Sequence, residues 1–571
     1  MPDTRPSSYI HILNDDVLLR ILEINGDMFT EKNALADTVR ASQVCHTWRS
    51  TMLGTPTLWA RLIDFDALYD LNKNKWAREL IRRSEESPLW LKAEHEEHWN
   101  HTFNNPHVHQ SQIFFLSILD KHWKRIQKID LNSEVLRHID VLSGPIYRPA
   151  PLLDMFCIQS SSDISERGSK MHRFVELFSG SAPVLRTFFA SFLRFDCNVA
   201  WLHNLHSLQL GAVQLGGVFD ICDIFTVLSA THNLEHLKVS SSNKIVPHVS
   251  RPVCLRNLKD LTLHLSFEEM AFTLDNLTIP TGCTLNLNTF PRDAPEGWED
   301  KFESKLLTVM HSLSRASRRY FQSCPVKILS IKCTEEAMQM FNAICDGDMN
   351  DSQFSILCIY FLPCPKNAAD MYSAFYFPEF ASIEELRLEY AVLTPSARDL
   401  AFIQHFSSVT SLYAYEQLFD HLTAVQLHLS KSTRRKTILF PQLQRITIRP
   451  MHTFHKARIP TRTVGNDIVM FILARIEDGH PISVIDLRLC GSLPSRLPFH
   501  GPAASEQRAL LRPEVDTCTP VFQLYPFSLP CVYERSLNHT LFLRTSLPHR
   551  FGLRPGVRVR SPRCSARAAP G

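Results

Sequence analysis

Glycine is scarce in this chain, at 18 of 571 residues, and none of it is arranged to cradle a phosphate. There is no G-x-x-x-x-G-K-S/T and no G-x-G-x-x-G, and G-x-S-x-G and H-E-x-x-H are missing as well. Those patterns bring backbone N–H groups around a phosphate, expose a nucleophilic serine, or set two histidines on one helix face around zinc. Their absence removes the usual nucleotide-binding, hydrolase and metalloprotease readings. The 15 cysteines are scattered, with no C-x-x-C pair and no histidines at zinc-finger spacing. An odd number of dispersed thiols in a long chain predicts reduced cysteines and an intracellular setting, cytoplasmic or nuclear. Residues Met1 to Ile10 lack the basic and apolar regions of a secretion signal, and no run reaches the 18 apolar residues of a membrane span. A net charge of +3 gives no bias toward nucleic acid or acidic membrane. No catalytic residue, cofactor or metal is expected, and the chain is not expected to be an enzyme.

What the chain does have is short helices followed by a recurring strand pattern. A loose tail is expected over residues 1–10 and a helical segment over 11–66. Asn14 and Asp15 are N-cap candidates. Val17, Leu18, Ile21 and Leu22 then fall at i, i+1, i+4 and i+5, one apolar helix stripe, and Gly26 is the expected stop. Further helices are expected over about 35–44 and 45–52. Pro56 fits the first helical position after a Thr55 cap. Helices this short must pack on one another or on a partner.

Three blocks in order, L-x-D-D-V-L-x-x-I-L, R-A-S-Q-V-C-x-x-W-R and T-P-T-L-W-A-R-L, resemble the F-box-like domain, particularly the version abundant in mushroom-forming fungi. The resemblance covers about a tenth of the chain. Asn14 stands where the family usually carries proline. The resemblance implies docking to the adaptor subunit of a Skp–cullin–F-box ubiquitin ligase and, through it, to a cullin. The residues it points to are Leu13, Val17, Leu18, Ile21, Leu22, Val44, Cys45, Trp48, Leu58 and Trp59. Trp48 and Trp59 could equally be interface anchors or fillers of the module's own core.

From 116 to 490 the pattern apolar-x-x-apolar-x-apolar returns a dozen times. Its middle residues are Ile129, Phe156, Phe188, Leu208, Leu237, Leu261, Leu329, Leu357, Leu386, Leu412, Ile446 and Leu487, with a weaker copy at Leu285. Most intervals run from 20 to 34 residues, near the leucine-rich repeat period. The last two apolar residues of each unit are two apart and so face one side of a strand. Phe219–Ser229 and Lys301–Ser312 have helical spacing. The expected fold is α/β: the short helical F-box-like module, then a curved leucine-rich-repeat solenoid with parallel strands. The usual asparagine after the last leucine is replaced by Ser161, Ser242, Ser266 and Thr334.

Residues beside the strand leucines should face the concave side, among them Lys238, His264, Lys332, Tyr360, Arg387, Glu389, Tyr413, Tyr415, Thr447, Arg449 and Arg488. The later units are rich in Tyr and Arg, types enriched in binding hot spots. Tyr360, Arg387, Glu389, Tyr413, Tyr415, Arg449 and Arg488 are therefore the candidates for binding a target protein. The implied function is a substrate-recognition subunit of the ligase; the alternative is a protein-interaction scaffold whose helices no longer bind the adaptor.

Two segments stand apart. Residues 67–115 read as a linker with a His-rich loop, where His95, His98, His101, His107 and His109 look more like solvated polar residues than zinc ligands. Residues 491–571 hold eleven Arg, no Lys and four acidic residues, a charge of +7 that leaves −4 for the rest. This Pro- and Arg-rich tail has little periodicity and reads as disordered.

Overall fold

The computed structural model describes residues 14–68, 73–94, 106–132, 144–159, 174–190, 193–211, 219–240, 252–291, 299–333, 337–342, 355–360, 374–375, 377–390, 401–415, 418–432, 438–449, 465–486 and 521–523. Helix α1 (Asp15–Asn25) begins where the Asn14 side chain accepts a hydrogen bond from the Asp16 amide at 3.2 Å, supplying a partner the helix start lacks. Leu18 and Leu22 are buried. The helix ends at Gly26, where a Cβ would lie 2.9 Å from Leu58 Cδ1 and 3.0 Å from the Leu22 carbonyl. A side chain there would displace Leu58 Cδ1 and press on the Leu22 carbonyl. Then follow α2 (Ala34–Ala41), α3 (His46–Leu53) and α4 (Pro56–Ala60). Pro56 sits at the first helical position, but the Thr55 hydroxyl donates back to the Thr51 carbonyl at 2.7 Å instead of capping α4.

These helices run directly into a sheet. β1 (Ile63–Asp64) pairs in parallel with β2 (Leu89–Ala93). The linker expected over 67–115 is therefore corrected: it carries α5 (Lys73–Arg83), β2 and the start of α6 (Pro106–His122), with Leu80, Leu89 and Leu91 buried. Leu91 and Ala93 keep the two-apart spacing, but Pro88 and a small Ala93 weaken the pattern in sequence.

β3 (Ile126–Asn132), β4 (Met155–Gln159), β6 (Thr187–Ala190), β8 (Ser207–Leu210), β9 (His236–Ser240), β11 (Asp260–Ser266) and β13 (Thr284–Phe290) add one at a time, all parallel. Outside this sheet, β5 (Phe174–Val175) pairs with β7 (Arg194–Phe195), and β10 (Val253–Cys254) with β12 (Leu277–Thr278). Ile129, Phe156, Phe188, Leu208, Leu237, Leu261 and Leu285 form one in-register row, and all are buried. Each such side chain contributes about 1.5–3 kcal/mol when buried, a gain unavailable to a single unit with an open apolar face. Phe156, Phe178, Phe188, Phe195 and Trp201 extend this row as a ring cluster with centroids 4.9–5.8 Å apart.

Two devices hold the register. Successive amides at each strand start share one carbonyl of the preceding unit: His206 and Ser207 on Arg186, Glu235 and His236 on His206, Lys259 and Asp260 on Glu235. An asparagine just before the first apolar residue bridges neighbouring turns: Asn204 to the Pro183 carbonyl, Asn233 to His203 and Asn257 to His232, at 3.0–3.3 Å. The asparagine expected after the strand is thus found before it. Of the replacements, Ser266 opens α8 (Phe267–Asn276) and bonds the buried Glu269 carboxylate through both its amide and its hydroxyl; the other three lie outside the described residues. The helical segment at 219–229 is α7 (Ile221–Ala230).

Beyond β13 the order changes. The chain passes through α9 (Glu299–Ser323) and forms β14 (Ile328–Cys333), returns antiparallel as β15 (Ala337–Asn342), and places β16 (Ser355–Tyr360) beside β13. β17 (Glu385–Tyr390) then pairs with β14, followed by β18 (Ser411–Tyr415), β19 (Arg445–Arg449) and β20 (Val484–Asp486), all parallel. The spatial order is β13, β16, β15, β14, β17. Consecutive parallel strands at Leu329 and Leu357 were expected, and this is corrected. The added strand carries Met338 and Met340, both fully buried, which a leucine template does not detect. At 25 residues, α9 spans about 37 Å, ample for two skipped strands at about 4.8 Å each. Leu357 aligns with Leu287 rather than Leu285.

The final unit is also corrected. Ile446 pairs with Ile485, and Leu487 lies outside the described residues. Helices α10 (Leu418–Ser432) and α11 (Gly465–Glu477) pack together beneath these strands. In the tail, β21 (Val521–Gln523) pairs antiparallel with β20, so these three residues depart from the disordered reading. The fold is α/β, with a long, mostly parallel sheet.

Candidate functional site

Alternation along each strand turns the leucines toward the helices and leaves a second, open face of polar and aromatic residues. In the later half this face holds Arg387 and Glu389 on β17 and Tyr413 and Tyr415 on β18, which line one shallow crevice of about 170 Å³ counted to its open rim. The Arg387 guanidinium bonds Glu385 on the same strand at 2.7 and 2.8 Å. It also lies 5.1 Å over the Tyr413 ring. Lys332 stands beside Glu389 in the cross-strand register. Charges here are matched within the face. Arg387 and Glu389 are each only 9% exposed, so they support the tyrosines more than they project to a partner. Tyr360, at 44%, is the exposed aromatic, and burial pushes its hydroxyl up to about 12. Arg449 ends β19, and Arg488 lies outside the described residues.

The earlier half is built differently. Cross-strand pairing sets Gln209, Lys238, Thr262 and Asn286 in one row, and Ser240, His264 and Asn288 in the next. Lys238 is exposed, yet its amine loses hydration against the flanking strands and is held below its ordinary value. His264 is driven down to about 4, first by burial and then by the Lys238 charge. Asn288 Nδ2 lies 3.5 Å from His264 Nε2 and donates to Asn286 Oδ1 at 2.9 Å. Strand alternation places Lys238 and His264 on this face, whereas Tyr and Arg are concentrated on the later strands.

The second surface is on the amino-terminal helices. Four of the implied adaptor contacts are corrected to core residues: Leu18 and Leu22 are 4% exposed, and Leu58 and Trp59 are 0%. The Trp59 indole donates to the Met52 carbonyl at 2.7 Å and lies beneath the Arg83 guanidinium at 4.5 Å, so it cannot anchor a partner. Cys45 and Trp48 are half-buried, and the Cys45 thiol accepts from the Trp48 amide. Val17, Ile21 and Val44 are exposed, together with Ile24 and Leu53. Val17, Ile21 and Ile24 form an i, i+4, i+7 stripe on α1, and the last of them was the signal overlooked in sequence. Leu13 lies outside the described residues.

Nothing else among the described residues assembles chemically. No group of three or more His, Cys, Asp or Glu side chains there could hold a metal ion. His107 and His109 fall within α6, while His95, His98 and His101 lie outside the described residues. Burial pushes the Cys157, Cys283 and Cys358 thiols up, the second to about 12, away from nucleophilic thiolate. No helix among the described residues is long and apolar enough to cross a membrane.

No family model matches the sequence, and no curated protein does either. Among solved structures, the chain is similar to LegL7, a leucine-rich repeat-containing protein from Legionella pneumophila. The identity is 14% over 47% of this chain and 81% of that one, with a TM-score of 0.18.

Proposed function

We propose that this chain is the substrate-recognition subunit of a Skp–cullin–F-box type ubiquitin ligase. The amino-terminal helices dock on the adaptor subunit, and the open face of the sheet binds a target protein. One observation carries the docking half: Val17, Ile21 and Ile24 remain exposed on α1 after Leu18 and Leu22 have filled the core. An apolar stripe left over in this way costs solubility unless a partner covers it. The three ordered sequence blocks supply the kind of partner. The chain itself makes and breaks no bonds in this reading; it raises the effective concentration of target near the ligase.

A pull-down with purified adaptor tests the proposal. Wild type is expected to bind, and Val17→Asp with Ile21→Asp to lose binding while keeping its circular dichroism spectrum, since both positions are exposed. Failure of wild type to bind overturns the docking half and favours the scaffold reading.

A further inference from the structure

We infer that the open face across β8–β13 holds an anion-binding subsite centred on Lys238, taking a carboxylate side chain from an acidic segment of the bound protein. The inference rests on the open face being the recognition surface, not on adaptor docking. Lys238 projects from the middle of β9, between Gln209 of β8 and Thr262 of β11. No described carboxylate pairs with its amine, and burial alone accounts for the lowering of its pKa. An ammonium that has lost part of its hydration without gaining a counter-charge is unfavourable, and an incoming carboxylate removes that cost. The surroundings suit an anion. Gln209 and Thr262 offer donors on either side, and neutral His264 lies one row further. The carboxylate toward the start of this face, Asp260, is already held by His236 at 2.5 Å and by Thr284.

The contrast with the later half fixes the choice of ligand. There Arg387 is ion-paired with Glu385, and Lys332 has Glu389 opposite it in register, so an acidic segment would compete with carboxylates already on the face. At Lys238 it meets no such competitor among the described residues. A carboxylate–ammonium contact here is charge-assisted, stronger than a neutral hydrogen bond.

The test uses the full chain and a fluorescein-labelled hexaglutamate peptide, followed by anisotropy at low salt. Hexaglutamate is expected to bind and hexaglutamine not. Lys238→Gln should weaken binding by about tenfold, Lys238→Arg should retain it, and Lys121→Gln, on exposed α6, should leave it unchanged. Equal affinity in wild type and a folded Lys238→Gln overturns the inference. So does an equal loss in Lys121→Gln, which would mean diffuse attraction. Displacement of the peptide by an equimolar amount of inorganic phosphate would show a phosphate site and overturn the commitment to carboxylate. None of these results alters the adaptor pull-down, so the two proposals fail separately.

Discussion

Between β3 and β13 each repeat adds one strand in sequence order, while between β13 and β17 the same repeat unit is laid down backwards. Both stretches satisfy the same local rule, with leucine-like residues two apart on a buried face. They differ in what links the strands. The early units carry the Asn204, Asn233 and Asn257 bridges, while paired amides on one carbonyl occur in both stretches, as at Lys327 for Glu384 and Glu385. At the inversion, α9 carries the chain past two positions and β15 returns antiparallel. Spacing therefore determines which residues are buried, and the connections determine which strands are neighbours.

The largest expected effect lies at the end of the later half. Arg475 on α11 is fully buried and donates to the Leu439 and Phe440 carbonyls at 2.5 and 3.0 Å. Phe440 holds a positive φ of 49°, and its carbonyl also accepts from the Leu443 amide at 3.0 Å. Burial brings the guanidinium down to about 10, still charged at neutral pH. Arg475→Ala leaves the buried Leu439 carbonyl without its donor, while Phe440 keeps the Leu443 amide, and it opens a cavity, at a cost of about 3–5 kcal/mol. The midpoint of urea unfolding measures it, and a change under 1 kcal/mol would show that the corner stands without the arginine.

The inversion itself is tested by Met340→Ala on β15. Met340 is fully buried between Ile331 and Leu357, so about 2–5 kcal/mol should be lost. A strand lying outside the sheet would tolerate the change.

These two sites mark the limits of sequence reading. The register of the early half was legible because Phe156, Phe188, Leu208 and Leu237 are large and regularly spaced. β2 and β15 were not, because proline, alanine and methionine blur the pattern. The order of β14 to β16 depends on long-range pairing, and no local periodicity encodes that. For the candidate sites, alternation puts Arg387, Glu389 and Lys238 on the face opposite the leucines, but it could not say that Arg387 and Glu389 would be matched and covered while Lys238 has no carboxylate partner among the described residues. Nor could helical spacing alone decide that Trp59 would spend its ring and N–H inside the core.

A pH dependence separates the two open-face regions. His264 titrates at about 4 in the folded chain against 6.5 unfolded. Its depressed value means the unfolded chain takes up a proton that the folded one refuses. The contribution is therefore present above pH 6.5, declines as pH falls through that window, and is gone once pH passes below about 4. Allowing for partial exposure, it amounts to about 2 kcal/mol. His264→Gln should flatten the fall in stability between pH 6.5 and 4.5 relative to wild type. Parallel stability curves for the two proteins would place His264 in solvent.

The smallest effect sharpens the comparison most directly, because it removes a device found, among the described residues, only in the early half. Asn233→Ala deletes one bridge, from Asn233 Nδ2 to the His203 carbonyl at 3.1 Å. The residue is exposed, so water can replace the donor and about 0.5–1.5 kcal/mol is expected. The location of the loss matters more than its size. If the bridges hold register, amide exchange should accelerate in β8 and β9, the strands flanking the deleted bridge, and stay unchanged in β18 and β19, which are joined by the shared carbonyls of Glu384 and Thr410. Uniform acceleration across both halves would mean that the sheet opens as one unit and that the asparagine bridges merely decorate its edge.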